Sequence, residues 1–300
     1  MLLTPELAAQ LGRHQLVPRR RVRGRFVGGH RSSRLGASVE FADVREYVAG
    51  DDPRRIDLSA SRRHGRLQVT LTEAEDDASA QVVVDRSASM RGRKRRVADQ
   101  VAAGLSVLGA RDGVRLWLVD HDRDHERDRI GGGWARGSGA LAHAGLLLAR
   151  SDADEVGPDE DDAAPAGRPD LTLAVGRAVR AAARGPLVLV SDLLYDGWDA
   201  TVRSLGAGNR DVLVLQVLDV DELRPHLVDD VRLVDAETGH EIEVGGDDHT
   251  TAAYAAALHD HLAAVEQACL SIGAAHLVVP TDTDLTRLFL AQLPALGLVA

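Results

Sequence analysis

The sequence predicts an α/β protein built on a doubly wound, mostly parallel sheet, with a small β-rich subdomain near the N-terminus. Three observations predict it. From residue 80 onward, short apolar runs alternate with longer amphipathic stretches, the rhythm of strand–helix–strand units. The apolar runs (AQVVVD, VRLWLV, PLVLVSD, DVLVLQVLD) are continuous rather than alternating, as strands covered on both faces are. Residues 37–72 lack that rhythm and mix short strand-like pieces, VEFADVREYV and RLQVTLT, around the turn AGDDPRR.

Taken in order, residues 4–16 predict a short helix, with Thr4 as cap, Pro5 in its first turn, and Leu7 and Leu11 on one face. An arginine-rich connector completes an N-terminal segment, 1–36, and the β-rich subdomain occupies 37–78. The α/β domain then runs over 79–300. Strand AQVVVD leads to a helix over 94–109 with Val97, Val101, Leu105 and Leu108 on one face. Strand VRLWLV is followed by a polar stretch and a glycine-rich turn, IGGGW. A helix at 138–149 precedes an acidic mobile loop, 151–168, rich in Asp, Glu, Pro and Gly. Helix 171–183, strand PLVLVSD, helix 197–206 and strand DVLVLQVLD follow. An insertion at 221–247 reads as a hairpin, VRLVD and HEIEV joined through AETGH. Helix 250–272 places Tyr254, Leu258, Leu262, Val265 and Cys269 on one side, and strand AHLVVP with helix 283–293 closes the chain.

Charge is uneven. Fourteen arginines against seven acids put +7 on residues 1–72, so the rest carries −17 of the −10 total. A basic front on an acidic body suits docking on that body or on an acidic partner; nucleic acid fits less well with the overall acidity. Of 36 basic residues only Lys94 is a lysine, and Cys269 is the only cysteine, which excludes an intrachain disulfide. No apolar run reaches membrane-spanning length. MLLTPELAAQLGRHQLVPRRR places its charge after a short apolar stretch, the reverse of a secretion signal. A cytoplasmic location is the expectation.

In a doubly wound sheet, ligands bind beyond the carboxyl ends of the strands, where the strand order reverses. Three polar clusters fall at such ends: Asp85, Ser87 and Ser89 in D-R-S-A-S; Ser191 with Asp192; and Asp219. Carboxylate and hydroxyl oxygens suit a hard cation, Mg²⁺ first, with Mn²⁺ or Ca²⁺ as alternatives. One acid and two hydroxyls leave coordination positions for water or a partner's carboxylate, which suits recognition better than hydrolysis. The plainer alternative is helix capping, which uses the same residue types at the same place.

DRSASM after a buried strand resembles the metal-ion-dependent adhesion site (MIDAS) of von Willebrand factor A (vWA) domains. GGHRSSRLGASVEFADVREYVAGDDPRRIDLSASRRHGRLQV is similar to the signature of bacterial domain-of-unknown-function family 58. The matching positions are Glu40, Phe41, Asp43, Arg45, Tyr47, Gly50, Asp51, Asp52, Arg54, Ile56, Asp57, Arg63 and Gly65. The resemblance implies a vWA-like domain acting with a MoxR-type AAA+ ATPase in protein maturation or remodelling; the absence of catalytic motifs adds the expectation that the protein is non-enzymatic. The resemblance also implies an ion held by Asp85, Ser87, Ser89 and Asp192. Two departures stand out. Leu58 and Ser59 replace a usual Trp-Arg pair. The second metal loop, G-T-D-L in the family, reads Arg168-Pro169-Asp170-Leu171, leaving Thr172 as the nearest substitute hydroxyl.

Other candidates point less far. His121 and His125 lie four apart among acids, but no apolar periodicity supports a helix there, and a solvated loop is the expectation. His259 and His261 face different sides of their helix. Glu40, Arg45, Asp51, Asp52, Arg54, Asp57 and Arg63 suit an ion-pair network fixing the small subdomain, or a partner interface. No phosphate-binding loop, nucleophile elbow or H-E-x-x-H pair occurs. Two alternative functions follow from the remaining chemistry: a metal-dependent phosphoester hydrolase using Asp120, Asp170 or Asp219, and nucleic-acid binding through the Arg19–Arg34 arm.

Overall fold

A computed structural model describes residues 2–17, 44–46, 61–62, 65–70, 79–122, 127–153, 170–181, 185–208, 210–225 and 231–300. Glu40, Asp51, Asp52, Arg54, Asp57 and Arg63, the Arg19–Arg34 arm, His125 and residues 154–169 lie outside the described residues. The chain divides into two units, one of residues 1–20 and 78–300, the other of residues 21–77. In the smaller unit, β1 (Val44–Glu46) pairs antiparallel with β2 (Gln68–Thr70), with Arg45 opposite Val69.

Helix α1 (Pro5–Leu11) belongs to the larger unit. The Thr4 hydroxyl accepts the Leu7 N–H at 3.2 Å, and Leu7 and Leu11 are buried in that unit's core. Gln15 and Ala300 exchange backbone hydrogen bonds at 2.9 and 3.0 Å. The N-terminal helix is thus clipped to the C-terminal residues, whereas the sequence reading set residues 1–36 apart.

The sheet strands are β3 (Ala80–Asp85), β4 (Val114–Asp122), β5 (Arg127–Ala135), β6 (Leu187–Ser191), β7 (Val212–Leu218) and, after the hairpin β8 (Val231–Val234) and β9 (Glu241–Val244), β10 (Ala275–Pro280). Their order is β10-β7-β6-β3-β4-β5, all parallel except β5. The helices are α2 (Arg93–Leu108), α3 (Ala140–Ala153), α4 (Leu171–Ala181), α5 (Trp198–Leu205), the single turn α6 (Val220–Leu223) and α7 (Asp248–Ser271). A terminal helical run follows, Leu285–Arg287, a π turn at Leu288–Gln292, and Leu293–Ala295.

Alternation along the strands divides the core. Val82 and Val84 face one side with α1, α2, α3 and Phe289; Val83 faces the other with α4, α5 and the end of α7. Both faces are covered, which is why the strand sequences are continuously apolar. The first strand, β3, lies in the middle: the chain adds β4 on one side of it and β6 on the other. The strand order therefore reverses at β3 and β6, the place where this architecture opens a crevice.

Two expectations are corrected. The segment read as a polar stretch and glycine turn is a nine-residue hairpin arm: β4 runs on to Asp122, and β5 returns antiparallel, with His121 opposite Asp128 and Gly132 opposite Trp117. The glycines serve close approach. A Cβ on Gly132 would lie 2.1 Å from the Leu116 carbonyl oxygen, and its φ is +124°. Beside them, Arg115 and Arg136 cover the Trp134 ring, the latter at 4.1 Å, masking the outer strand with charge. The second correction concerns α7, where only Val265 and Cys269 of the expected stripe are buried. Twenty-four residues make about 36 Å of helix, against roughly 20 Å for the six-residue β10. The N-terminal part overruns the sheet, leaving Tyr254 exposed.

Gly132→Ala is expected to lower stability by about 2 kcal/mol or more. Gly131→Ala, whose added Cβ meets nothing within 4 Å, serves as control in the same denaturant titration and should unfold like the parent.

Candidate functional site

Asp85 ends the central strand with no exposed surface. A buried carboxylate needs donors, and two of them come from the neighbouring strand ends and loop. The Ser87 N–H donates to Oδ1 at 2.9 Å, and the Ser191 hydroxyl, at the end of β6, donates to Oδ2 at 2.6 Å. The next residue, Arg86, is also fully buried. Its guanidinium pairs with Asp99 of α2 at 2.6 Å and donates to the Leu148 carbonyl of α3 at 3.1 Å. Arg95 donates to the Arg86 carbonyl at 2.7 Å. The loop between β3 and α2 is thus fixed from both helical neighbours.

Ser87 and Ser89 share one side of this loop, their hydroxyls 3.2 Å apart. Ser87 precedes a 3₁₀ turn at Ala88–Met90, yet its side chain makes no capping bond, so capping does not account for it. The Ser89 N–H donates to Glu237 Oε1 at 2.9 Å. Glu237 lies in the turn between β8 and β9, held there by its own N–H to Asp235 Oδ1 at 2.8 Å. The hairpin insertion therefore bends back over the strand ends.

Asp192 follows β6 and is fully buried. Its Oδ1 accepts the Leu194 N–H at 3.2 Å, and its Oδ2 meets the Lys94 ammonium at 2.9 Å. Lys94 also pairs with Glu222 of α6 at 2.6 Å. Burial alone would lower the lysine's pKa, but the charges of Asp192 and Glu222 outweigh it and raise it above its ordinary value. Gln216 of β7 donates to the Asp192 carbonyl at 2.8 Å, and His276 of β10 sits 3.0 Å from the Gln216 amide oxygen. Because that oxygen accepts, His276 Nε2 carries the proton.

The structure brings together Asp85, Ser87, Ser89, Ser191 and Asp192. Thr172 lies within α4, with its hydroxyl 2.9 Å from that of Thr201. Asp219 and Asp170 cap helices: Asp219 forms a reciprocal capping box with Glu222, and Asp170 accepts the Leu173 N–H at 2.9 Å. Asp120 sits on β4 opposite Arg129. These contacts do not fit a divalent ion in the ordinary way. Asp192 faces an ammonium, and the carboxylate of Asp85 is turned to a hydroxyl and a backbone N–H. Sequence reasoning missed Lys94, Glu222 and Glu237. The signal for the first was present, as the one lysine in an arginine-rich chain; the acids lie 128 and 148 residues from their partners.

The fold and site define a doubly wound α/β domain with an acid–hydroxyl loop at its switch point. The chain belongs to the family described as protein of unknown function DUF58, whose profile matches residues 43–264. Three mycobacterial proteins described as uncharacterized are each 30% identical over 298 residues, spanning 93% of this chain and 86% of theirs. They are Rv1480 and MT1527 from two strains of Mycobacterium tuberculosis and Mb1516 from Mycobacterium bovis. Two solved structures are distantly similar. The conserved hypothetical protein BatB of Bacteroides thetaiotaomicron is 10% identical with a TM-score of 0.37, covering 73% of this chain and 98% of its own. An aerotolerance-related membrane protein of Bacteroides fragilis is 12% identical with a TM-score of 0.38, covering 72% and 98%. Scores this low carry no argument about function. Among the described residues no helix is long and apolar enough to cross a membrane.

Asp99→Ala removes the carboxylate paired with the buried Arg86 guanidinium at 2.6 Å and is expected to cost about 3–5 kcal/mol in urea denaturation. A paired Arg86→Met, Asp99→Leu protein should recover much of that loss. Burial lowers the pKa of His276, partly countered by Glu266. The unfolded chain therefore binds its proton more readily, and stability should be lost as pH falls below about 6.5. His276→Gln should flatten that slope in denaturation curves taken across the range.

Proposed function

We propose that this chain is a non-enzymatic, vWA-like interaction protein that docks a partner protein on the carboxyl edge of its sheet. The partner class is the one its resemblance implies, a MoxR-type AAA+ ATPase, with the pair maturing or remodelling a third protein. The observation that carries this reading is the hairpin β8–β9. Its turn is anchored on the serine loop through Glu237, while its strands turn Leu233, Val234 and Ile242 to solvent, each between 44% and 55% exposed. Leu233 and Ile242 face one another across the ladder. Val234, next along the strand, points to the opposite face, so the Leu233–Ile242 pair supplies a hydrophobic anchor and the strand-end loop a hydrogen-bonding rim, the composition of protein interfaces.

The chemistry beside that pair favours binding over turnover. The carboxylates of Asp85 and Asp192 are engaged by a hydroxyl, backbone N–H groups and an ammonium, and each is buried, which is a poor setting for a general base that must reach substrate.

The test is an affinity titration of the full chain against the MoxR-type ATPase of its own organism, with ATP and with ADP. Parent protein should bind, and Leu233→Glu with Ile242→Glu should weaken binding at least tenfold while circular dichroism stays unchanged. Absence of binding by the parent in both nucleotide states, or equal binding by the hairpin variant, would refute the proposal.

A further inference from the structure

We propose that the Lys94 ammonium is the resident cation of the strand-end site, standing in place of the divalent ion that its oxygen ligands suggest. The inference deepens the recognition-face reading and takes from it only the location of the site.

Lys94 sits in the first turn of α2, nine residues beyond Asp85. Its side chain is 7% exposed, and its ammonium bridges Asp192 at 2.9 Å and Glu222 at 2.6 Å. Both acids are aimed at it by other bonds. The second oxygen of Asp192 takes the Leu194 N–H; the second oxygen of Glu222 takes the Asp219 N–H at 2.7 Å. A buried charge persists where it is paired and hydrogen-bonded, and here the pairing is supplied from the ends of two strands, β6 and β7. Asp192 is also the acid that a metal at the serine loop would need.

Residue type strengthens the case. Thirty-five of the 36 basic residues are arginine, and the one lysine lies here. An ammonium is a compact point charge with three rotatable donors, closer in shape to a small hydrated ion than a planar guanidinium is. A divalent ion on Asp192 would meet this ammonium at close range, and like charges in a buried site repel strongly. The second loop gives no relief, since Thr172 is turned to Thr201 and the preceding loop carries Pro169, whose side chain has no ligand atom. Lysine and the altered loop are parts of one change: the charge is carried covalently, and the hydroxyl that would have completed a metal shell is dispensable.

The measurement is isothermal calorimetry and thermal unfolding of the full chain with MgCl₂, MnCl₂ or EDTA. The parent should release no binding heat and show the same unfolding temperature in all three. Lys94→Met removes the ammonium that bridges Asp192 and Glu222. It should unfold at a lower temperature and recover part of the loss on adding Mg²⁺, while Lys94→Arg should stay indifferent to the ion. One-to-one binding of Mg²⁺ by the parent, abolished in Asp192→Asn, would overturn the assignment. A folded Lys94→Met protein as stable as the parent and equally indifferent to Mg²⁺ would also overturn it. Should Lys94→Met fail to fold, the parent calorimetry decides alone. Loss of partner binding leaves these metal titrations unaffected, so the two proposals fail separately.

Discussion

A carboxylate with no access to water, at the end of the middle strand, is the constraint that organises this protein. Asp85 closes a strand whose six residues are all buried, so its charge must be met inside the fold. Its own loop supplies one donor, and the Ser191 hydroxyl on the neighbouring strand supplies a second. The second donor fixes more than a bond. Ser191 Oγ also accepts the Leu193 N–H at 3.2 Å, and Leu193 takes φ of 53°, a conformation that a side chain such as leucine seldom adopts. Leu193 is fully buried, so packing holds it there. Turning the chain this way delivers Asp192 to Lys94. Strain, hydroxyl and carboxylate are thus linked along three consecutive residues.

The fold was legible because it depends on local pattern. Continuous apolar strands, the Val97–Val101–Leu105–Leu108 face and the hairpin pair VRLVD and HEIEV all state their environment within a few residues. IGGGW misled because glycine speaks for two opposite things, a turn or a close backbone approach. Here the approach of β5 to the Leu116 carbonyl decided it. The α7 stripe misled for a different reason: amphipathicity shows which side would be buried, not how far the covering sheet extends.

The site was half legible. D-x-S-x-S and Ser191-Asp192 lie at strand ends that a doubly wound topology must bring together, so motif and topology jointly placed Asp85, Ser87, Ser89 and Asp192. Thr172, three residues beyond Pro169, lies within α4, and its hydroxyl meets that of Thr201 at 2.9 Å, a contact that no local spacing announces. Glu222 and Glu237 were invisible for want of any local signal. A carboxylate that travels with an inserted turn or hairpin has no spacing to betray it, and its role appears only once the insertion folds back on the strand ends.

The start of α2 makes the dependence among these loops clear. A helix N-terminus favours acidic residues and a side-chain cap, yet α2 begins with Gly92 as a cap lacking a side-chain bond and has no acid in its first turn. Arg93 and Lys94 stand there instead, the wrong sign for the helix dipole. Their acids come from elsewhere: Arg93 reaches Asp219 at 2.9 Å and also Asp221, and Lys94 reaches Asp192 and Glu222. Three of those four acids lie on or cap α6, a single helical turn of four residues that is too short to persist alone. Each element lacks what the other supplies, an acidic first turn for α2 and a basic partner for α6. The order of α6 therefore depends on α2, whose own turns are held by burial in the core. The ends of β3, β6 and β7 are thus joined by charge, with Lys94 bridging Asp192 and Glu222 and Arg93 adding a second tie to Asp219.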